Sequence, residues 1–210
     1  MKFPILTAAV ILCLVIAYCN RKSKEQVAAM ENEFWDKELQ ANNTRRKSLD
    51  DLDYISVPLE SLPINIHLDN DTIKGIIQTI VELSKSPIVN LTGISNTDLK
   101  LKYGAPNIDL LAQYDSRYTA LVTSLQKWGS RLYELGDIDS TKSVLEFAVS
   151  THTDVSGTYK LLSEIYLSEG DVCSMEKLIS YASNINTPMK TTILNSLTDR
   201  LNILKSNQSE

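Results

Sequence analysis

Residues that carry chemistry are scarce in this chain: two histidines and three cysteines among 210 residues. His67 and His152 stand far apart and share no metal-ligand spacing with a cysteine or with each other. That removes the common zinc arrangements. The seven glycines occur singly, so there is no glycine-rich loop to cradle a phosphate. Gly93-Ile94-Ser95 lacks the flanking pattern of a nucleophile elbow. Asp69-Asn70-Asp71 opens like a calcium loop, but Ile73 falls on a ligand position and the central glycine is missing. Cys173 has Asp171 and Glu176 nearby and no basic residue next to it, the wrong surroundings for an activated thiolate. No catalytic, cofactor-binding or metal-binding set is expected.

Positive charge is also in short supply. Residues 51–210 hold 13 basic and 20 acidic side chains, a net of −7, while the first fifty residues carry +2. An acidic body is a poor match for phosphate backbones or anionic lipid, so nucleic acid is not expected as a partner. It suits solubility or a basic partner. Cys13 and Cys19 fall inside an apolar run, which leaves Cys173 alone and excludes a disulfide within the remainder.

One stretch holds no charge at all, the seventeen residues Phe3 to Cys19. As a helix it measures about 25 Å at ~1.5 Å per residue, within the range that crosses a bilayer. Tyr18 is too bulky for a cleavage site before Cys19, so an uncleaved single-pass anchor is expected. Arg21, Lys22 and Lys24 follow the run, while only Lys2 precedes it. The bias of basic residues places the remainder on the cytoplasmic side of the cell membrane.

Beyond the run, Val27, Met30 and Phe34 recur at helical spacing, with Trp35 and Leu39 beside them. This juxtamembrane stripe either packs on the soluble domain or pairs with another copy. Asn42 to Lys47 interrupts the pattern, and Pro58 and Pro63 then forbid a helix over Leu52 to Leu68. Apolar residues alternate there, Ile55, Val57, Leu59 and then Ile64, Ile66, Leu68. So much extended apolar surface implies a strap laid across a helical body. Asp71 is expected to cap a helix ending near Leu83, a short turn to stop at Gly104, and Pro106-Asn107 to open a further helix.

The next stretch says one thing twice. Gly136-Asp137-Ile138 and Gly170-Asp171-Val172 lie thirty-four residues apart. Before each glycine, Leu125, Trp128, Gly129 and Leu132 answer Tyr159, Leu162, Ser163 and Tyr166; after it, Leu145 and Ala148 answer Ile179 and Ala182. Three- and four-residue steps put each set on one helix face. Glycine suits the left-handed end of a first helix, and aspartate caps a second. Gly129 and Ala148 are expected to meet where the two helices of a unit cross.

This pattern resembles the tetratricopeptide repeat over residues 122–155 and 156–189, with Thr141, Met175 and Thr153 departing from the family's usual small residues and proline. The resemblance implies an all-α stack of antiparallel helix pairs with a C-terminal capping helix built on Ile193, Leu194, Leu197, Leu201 and Leu204. It also implies a groove lined by Gln126, Ser130, Tyr133, Lys160, Glu164 and Leu167. Holding a peptide's terminal carboxylate needs convergent cationic or amide donors. Only Lys160 qualifies by charge and Glu164 opposes an anion, so carboxylate-terminal recognition is not expected.

The organisation expected is therefore an anchor over 1–20, a juxtamembrane helix and tether over 21–50, and a strap with N-terminal helices over 51–121. Two helical repeats follow over 122–189, then a capping helix and polar tail over 190–210. The layout resembles bacterial single-span proteins with a C-terminal helical-repeat domain. The function expected is a membrane-anchored protein–protein interaction module, a scaffold or adaptor. The alternative is an enzyme whose site forms no recognisable motif.

Overall fold

A computed structural model of the chain describes the backbone of residues 3–207 and the side chains of residues 10–206. Among the described residues the chain is all-helical, with no strand. It divides into two compact units, Met1–Ser48 with Ser95–Ile108, and Leu49–Ile94 with Asp109–Glu210.

The first unit is built on α1 (Phe3–Asn42), a single helix of 40 residues. The anchor and the juxtamembrane helix, expected as separate segments, are thus continuous. Nothing between them breaks a helix, since Pro4 lies in the first turn, where its missing N–H costs nothing. Of the apolar run Phe3–Cys19, the side chains before Val10 lie outside the described residues. Among the described residues, no helix is long and apolar enough to cross a membrane. The stripe Val27, Met30, Phe34, Trp35 and Leu39 is exposed along its whole length. The end of α1 is held by α3 (Asn96–Tyr103): Lys37 pairs with Asp98 at 2.8 Å, and Glu38 accepts from Thr97 at 2.6 Å and pairs with Lys100. Asn107 then donates to the carbonyls of Lys47 and Tyr103, closing the unit.

The second unit has two adjoining apolar cores. In the first, Ile73, Ile77 and Ile80 of α2 (Asp71–Leu83) meet one face of α4 (Ile108–Glu134), which supplies Tyr118, Leu121, Leu125, Trp128 and Leu132. α4 starts fourteen residues before the expected repeat boundary at Val122, because the 3₁₀ turn Ala105–Asn107 feeds directly into it. The cap of α2 also differs: Asn70, not Asp71, accepts from the N–H groups of Thr72 and Ile73. The strap joins this core through buried Leu62 and half-buried Ile55, Val57, Leu59 and Ile64. It is extended only in part, pairing with the chain after α2 through one bridge, Tyr54 with Val89. Its last apolar residues, Ile66 and Leu68, stay exposed because His67 turns the backbone with a positive φ of 58°.

The second core lies between α5 (Ile138–Ser150), α6 (Ser156–Glu169), α7 (Val172–Ser183) and α8 (Lys190–Asn207). α5 serves both cores: Val144 and Ala148 face one, Leu145 and Val149 the other. Trp128, Tyr159 and Tyr166 are all packed inside. α8 closes the unit with Ile193, Leu197 and Leu204 buried against α6 and α7.

The Gly-Asp turns of the two helix pairs share one geometry. Gly136 and Gly170 adopt φ of 79° and 71°, and the next aspartate donates its N–H to Leu132 O at 3.1 Å or Tyr166 O at 2.9 Å. The carboxylates of Asp137 and Asp171 then accept from the N–H of Ser140 at 3.1 Å and of Ser174 at 2.9 Å. Burial raises the Asp137 carboxyl, but bonds from Ser140 and His67 outweigh it and hold it below the usual range. The backbone and hydroxyl of Ser174 depress Asp171 in the same direction. A depressed carboxylate stabilises the fold above its unfolded value of about 3.9, and that contribution disappears as pH falls through the lower folded value. Asp137→Ala and Asp171→Ala should each cost about 1 kcal/mol at pH 7, the usual size of a lost cap. Denaturant titrations at pH 7 and pH 2.5 should show the difference from the parent shrinking at the acid end.

Candidate functional site

Two surfaces of the second unit stand out: the faces of α4 and α6 that sequence singled out, and a cavity at the loop end of the stack. On the first, Gln126 is half-buried and tied to its neighbours. Its Nε2 donates to Ser130 Oγ at 3.1 Å and its Oε1 accepts from Thr158 Oγ1 at 2.7 Å. Gln126 thus clasps α4 to α6, and Ser130 is half-buried beside it. Tyr133 is exposed near the end of α4. Leu167 packs against the second core, turned away from solvent in part.

Lys160 and Glu164 face α8, a contact that repeat spacing does not reveal. Lys160 lines a shallow cavity of about 270 Å³ with Tyr159 of α6 and Ile193, Leu197 and Arg200 of α8. Arg200 Nη2 pairs with Glu164 Oε1 at 3.2 Å. A second cation therefore stands beside Lys160, which sequence reasoning missed, yet its charge is matched by Glu164.

The loop-end cavity is larger, about 380 Å³. Its walls come from four separate segments: the strap, the chain after α2, the α5–α6 connection and the α7–α8 connection. Asn90 is the central fastening. Its Nδ2 lies 2.9 Å from Tyr118 Oη, 3.1 Å from Thr151 O and 3.2 Å from His152 O. Tyr118 in turn donates to Thr151 O at 3.2 Å, and Tyr159 donates to Thr153 O at 2.8 Å. Burial pushes both phenols up, so each stays protonated and able to donate. The α5–α6 connection is thereby held in one path, with His152 at a positive φ of 60° and its ring 6.4 Å from that of Tyr181.

Neither His152 nor Asn90 was legible as a site residue, because the segments that meet here, from Asp53 to Asn186, are up to 133 positions apart in sequence. His67 shows no metal-ligand partner in sequence. It in fact bonds Asp137 Oδ2 through Nε2 at 3.0 Å, pinning the far end of the strap to the first Gly-Asp turn. Among the described residues no group of three or more His, Cys, Asp or Glu could hold a metal ion. No family model matches the chain, and no curated protein or solved structure matches it. No activity is therefore carried over from a relative.

Proposed function

We propose that the chain is a membrane-anchored interaction module, held in the cell membrane by the start of α1 and offering its helix pairs to a protein partner on the cytoplasmic side. The observation that carries the anchor is the surface of α1. Val10, Ile11, Leu12, Leu14, Val15, Ile16 and Tyr18 are all at least half exposed, and helical spacing spreads them around about two thirds of the helix, with Cys13 and Ala17 on the remainder. A helix that is apolar all round needs an apolar surrounding, and its own chain supplies none. Lipid is the surrounding that the uncharged run Phe3 to Cys19 fits in length.

The chain should stay with membranes through an alkaline carbonate wash. Reporters fused after residue 50 should be active only in the form that works in the cytoplasm. Release by the wash, or activity of the extracytoplasmic reporter alone, would remove the anchor or its orientation.

The interaction reading rests on the helix pairs. Their paired Gly-Asp turns and shared apolar faces support the resemblance to tetratricopeptide repeats, whose stacks present surfaces and carry no chemistry of their own. Tyr133 and Lys160 are the side chains of the α4 and α6 faces left most open to a partner. With Arg200 matched by Glu164, Lys160 alone stands against a carboxylate on that face, so a peptide's terminal carboxylate remains a poor fit.

A further inference from the structure

We infer that the loop-end cavity of the second unit binds a guanidinium group. The inference stands apart from the anchor and from the α4–α6 face, and it comes from what the cavity offers chemically. No lysine or arginine lines it, whereas Asp53 of the strap and Asp154 of the α5–α6 connection both do. Neither carboxylate is engaged in a hydrogen bond or ion pair among the described residues.

The neutral polar groups lean the same way. Asn184 and Asn186 each use an N–H on a backbone carbonyl, that of Ser180 at 3.1 Å and that of Gly93 at 3.2 Å. What remains to each is the amide oxygen, with two lone pairs, and one N–H. Thr151 O already accepts from both Asn90 and Tyr118, whereas His152 O accepts from Asn90 alone and keeps a lone pair free. The two unengaged carboxylates of Asp53 and Asp154 therefore give the cavity an excess of acceptors over donors.

Shape and apolar lining narrow the choice of cation. A hard metal ion needs several oxygen or nitrogen ligands at once, and the acidic and histidine side chains here do not group in threes. A guanidinium carries five N–H donors in a plane and stacks on aromatic faces. Tyr54, Phe147 and the His152 ring supply such faces in the same wall. About 380 Å³ is room for one such head with its alkyl stem. Two sources share this chemistry: a free small molecule, and an arginine side chain presented by a partner.

The test uses the full chain in detergent micelles with both histidine rings isotope-labelled. Agmatine and L-arginine represent the free source, and a capped Ala-Arg-Ala peptide represents the partner's side chain. Citrulline, which has the same shape without the charge, is the control. The His152 ring signals should move on addition of a guanidinium, while those of His67, on the other end of the unit, stay in place. Calorimetry on the same samples gives the dissociation constants.

Asp154→Asn should weaken binding about tenfold or more, the usual size of one lost charge-assisted bond. Asp154 sits close to Tyr118 and Tyr159, so the exposed Asp53→Asn supplies a second variant that spares the packing. It too should weaken binding, and the two together should abolish it. Tighter binding of the peptide than of agmatine would assign the site to a partner, and the reverse order to a free ligand. The inference is overturned if His152 moves with no guanidinium, if citrulline binds as well as arginine, or if both variants bind like the parent.

Discussion

Gly129→Leu should unfold the second unit at clearly lower denaturant, a loss of about 1–3 kcal/mol or more. Gly129 lies inside α4, where glycine is itself unfavourable by about 1 kcal/mol relative to alanine. What keeps a glycine tolerable there is the neighbour. A Cβ at this position would run into the side chain of Leu145 on α5, itself fully buried. The helix-propensity gain from any larger residue is therefore smaller than the overpacking it causes. Gly129→Ala combined with Leu145→Ala provides the cycle that isolates this contact. The two changes should cost less together than the sum of each alone. Strict additivity would mean that α4 and α5 do not cross at this pair.

Deleting residues 52–68 should have the largest effect of all. Leu52 and Leu62 are buried, and Ile55, Val57, Leu59 and Ile64 are half-buried on the first core. Each fully buried side chain of this kind contributes about 1.5–3 kcal/mol. The strap as a whole is then worth several kcal/mol, a large part of the roughly 5–15 kcal/mol that stabilises a typical domain. Without it, Ile73, Ile80 and Trp128 would lose part of their cover. The expected result is binding of a hydrophobic dye, self-association and a broadened unfolding transition. Leu62→Ala, a milder change, should cost about 2–5 kcal/mol while keeping the chain monomeric. A deletion that stays monomeric, dye-silent and equally stable would reduce the strap to a linker.

Local signals were legible in the sequence. The four-residue recurrence of isoleucine from Ile73 to Ile80, the two Gly-Asp turns and the leucines of the last helix each belong to one segment. Their meaning follows from the period of a helix and from which residues accept a left-handed backbone or cap an N-terminus. Such features need no partner to be recognised. The prolines at 58 and 63 likewise ruled out a helix without any knowledge of what the strap would touch.

What the tertiary structure alone decided are the meetings between segments. Gly129 was expected against Ala148, yet the nearest side chain is Leu145, one helical turn away on α5. Crossing geometry settles that choice, because residues three apart are neighbours on a helix surface even where, as here, they serve different cores, and the spacing cannot say which of them comes closest. Arg200 reaches Glu164 only because α8 packs on α6. His67 finds Asp137 across seventy positions, and Asn90 finds the carbonyls of Thr151 and His152 across sixty-one and sixty-two. Hydrogen-bond partners at such separations depend on how apolar faces dock, and side-chain pattern carries no record of that docking. The helices were thus determined by the chain's local chemistry, whereas the clasps and the loop-end cavity exist only once two cores have closed on opposite sides of α5.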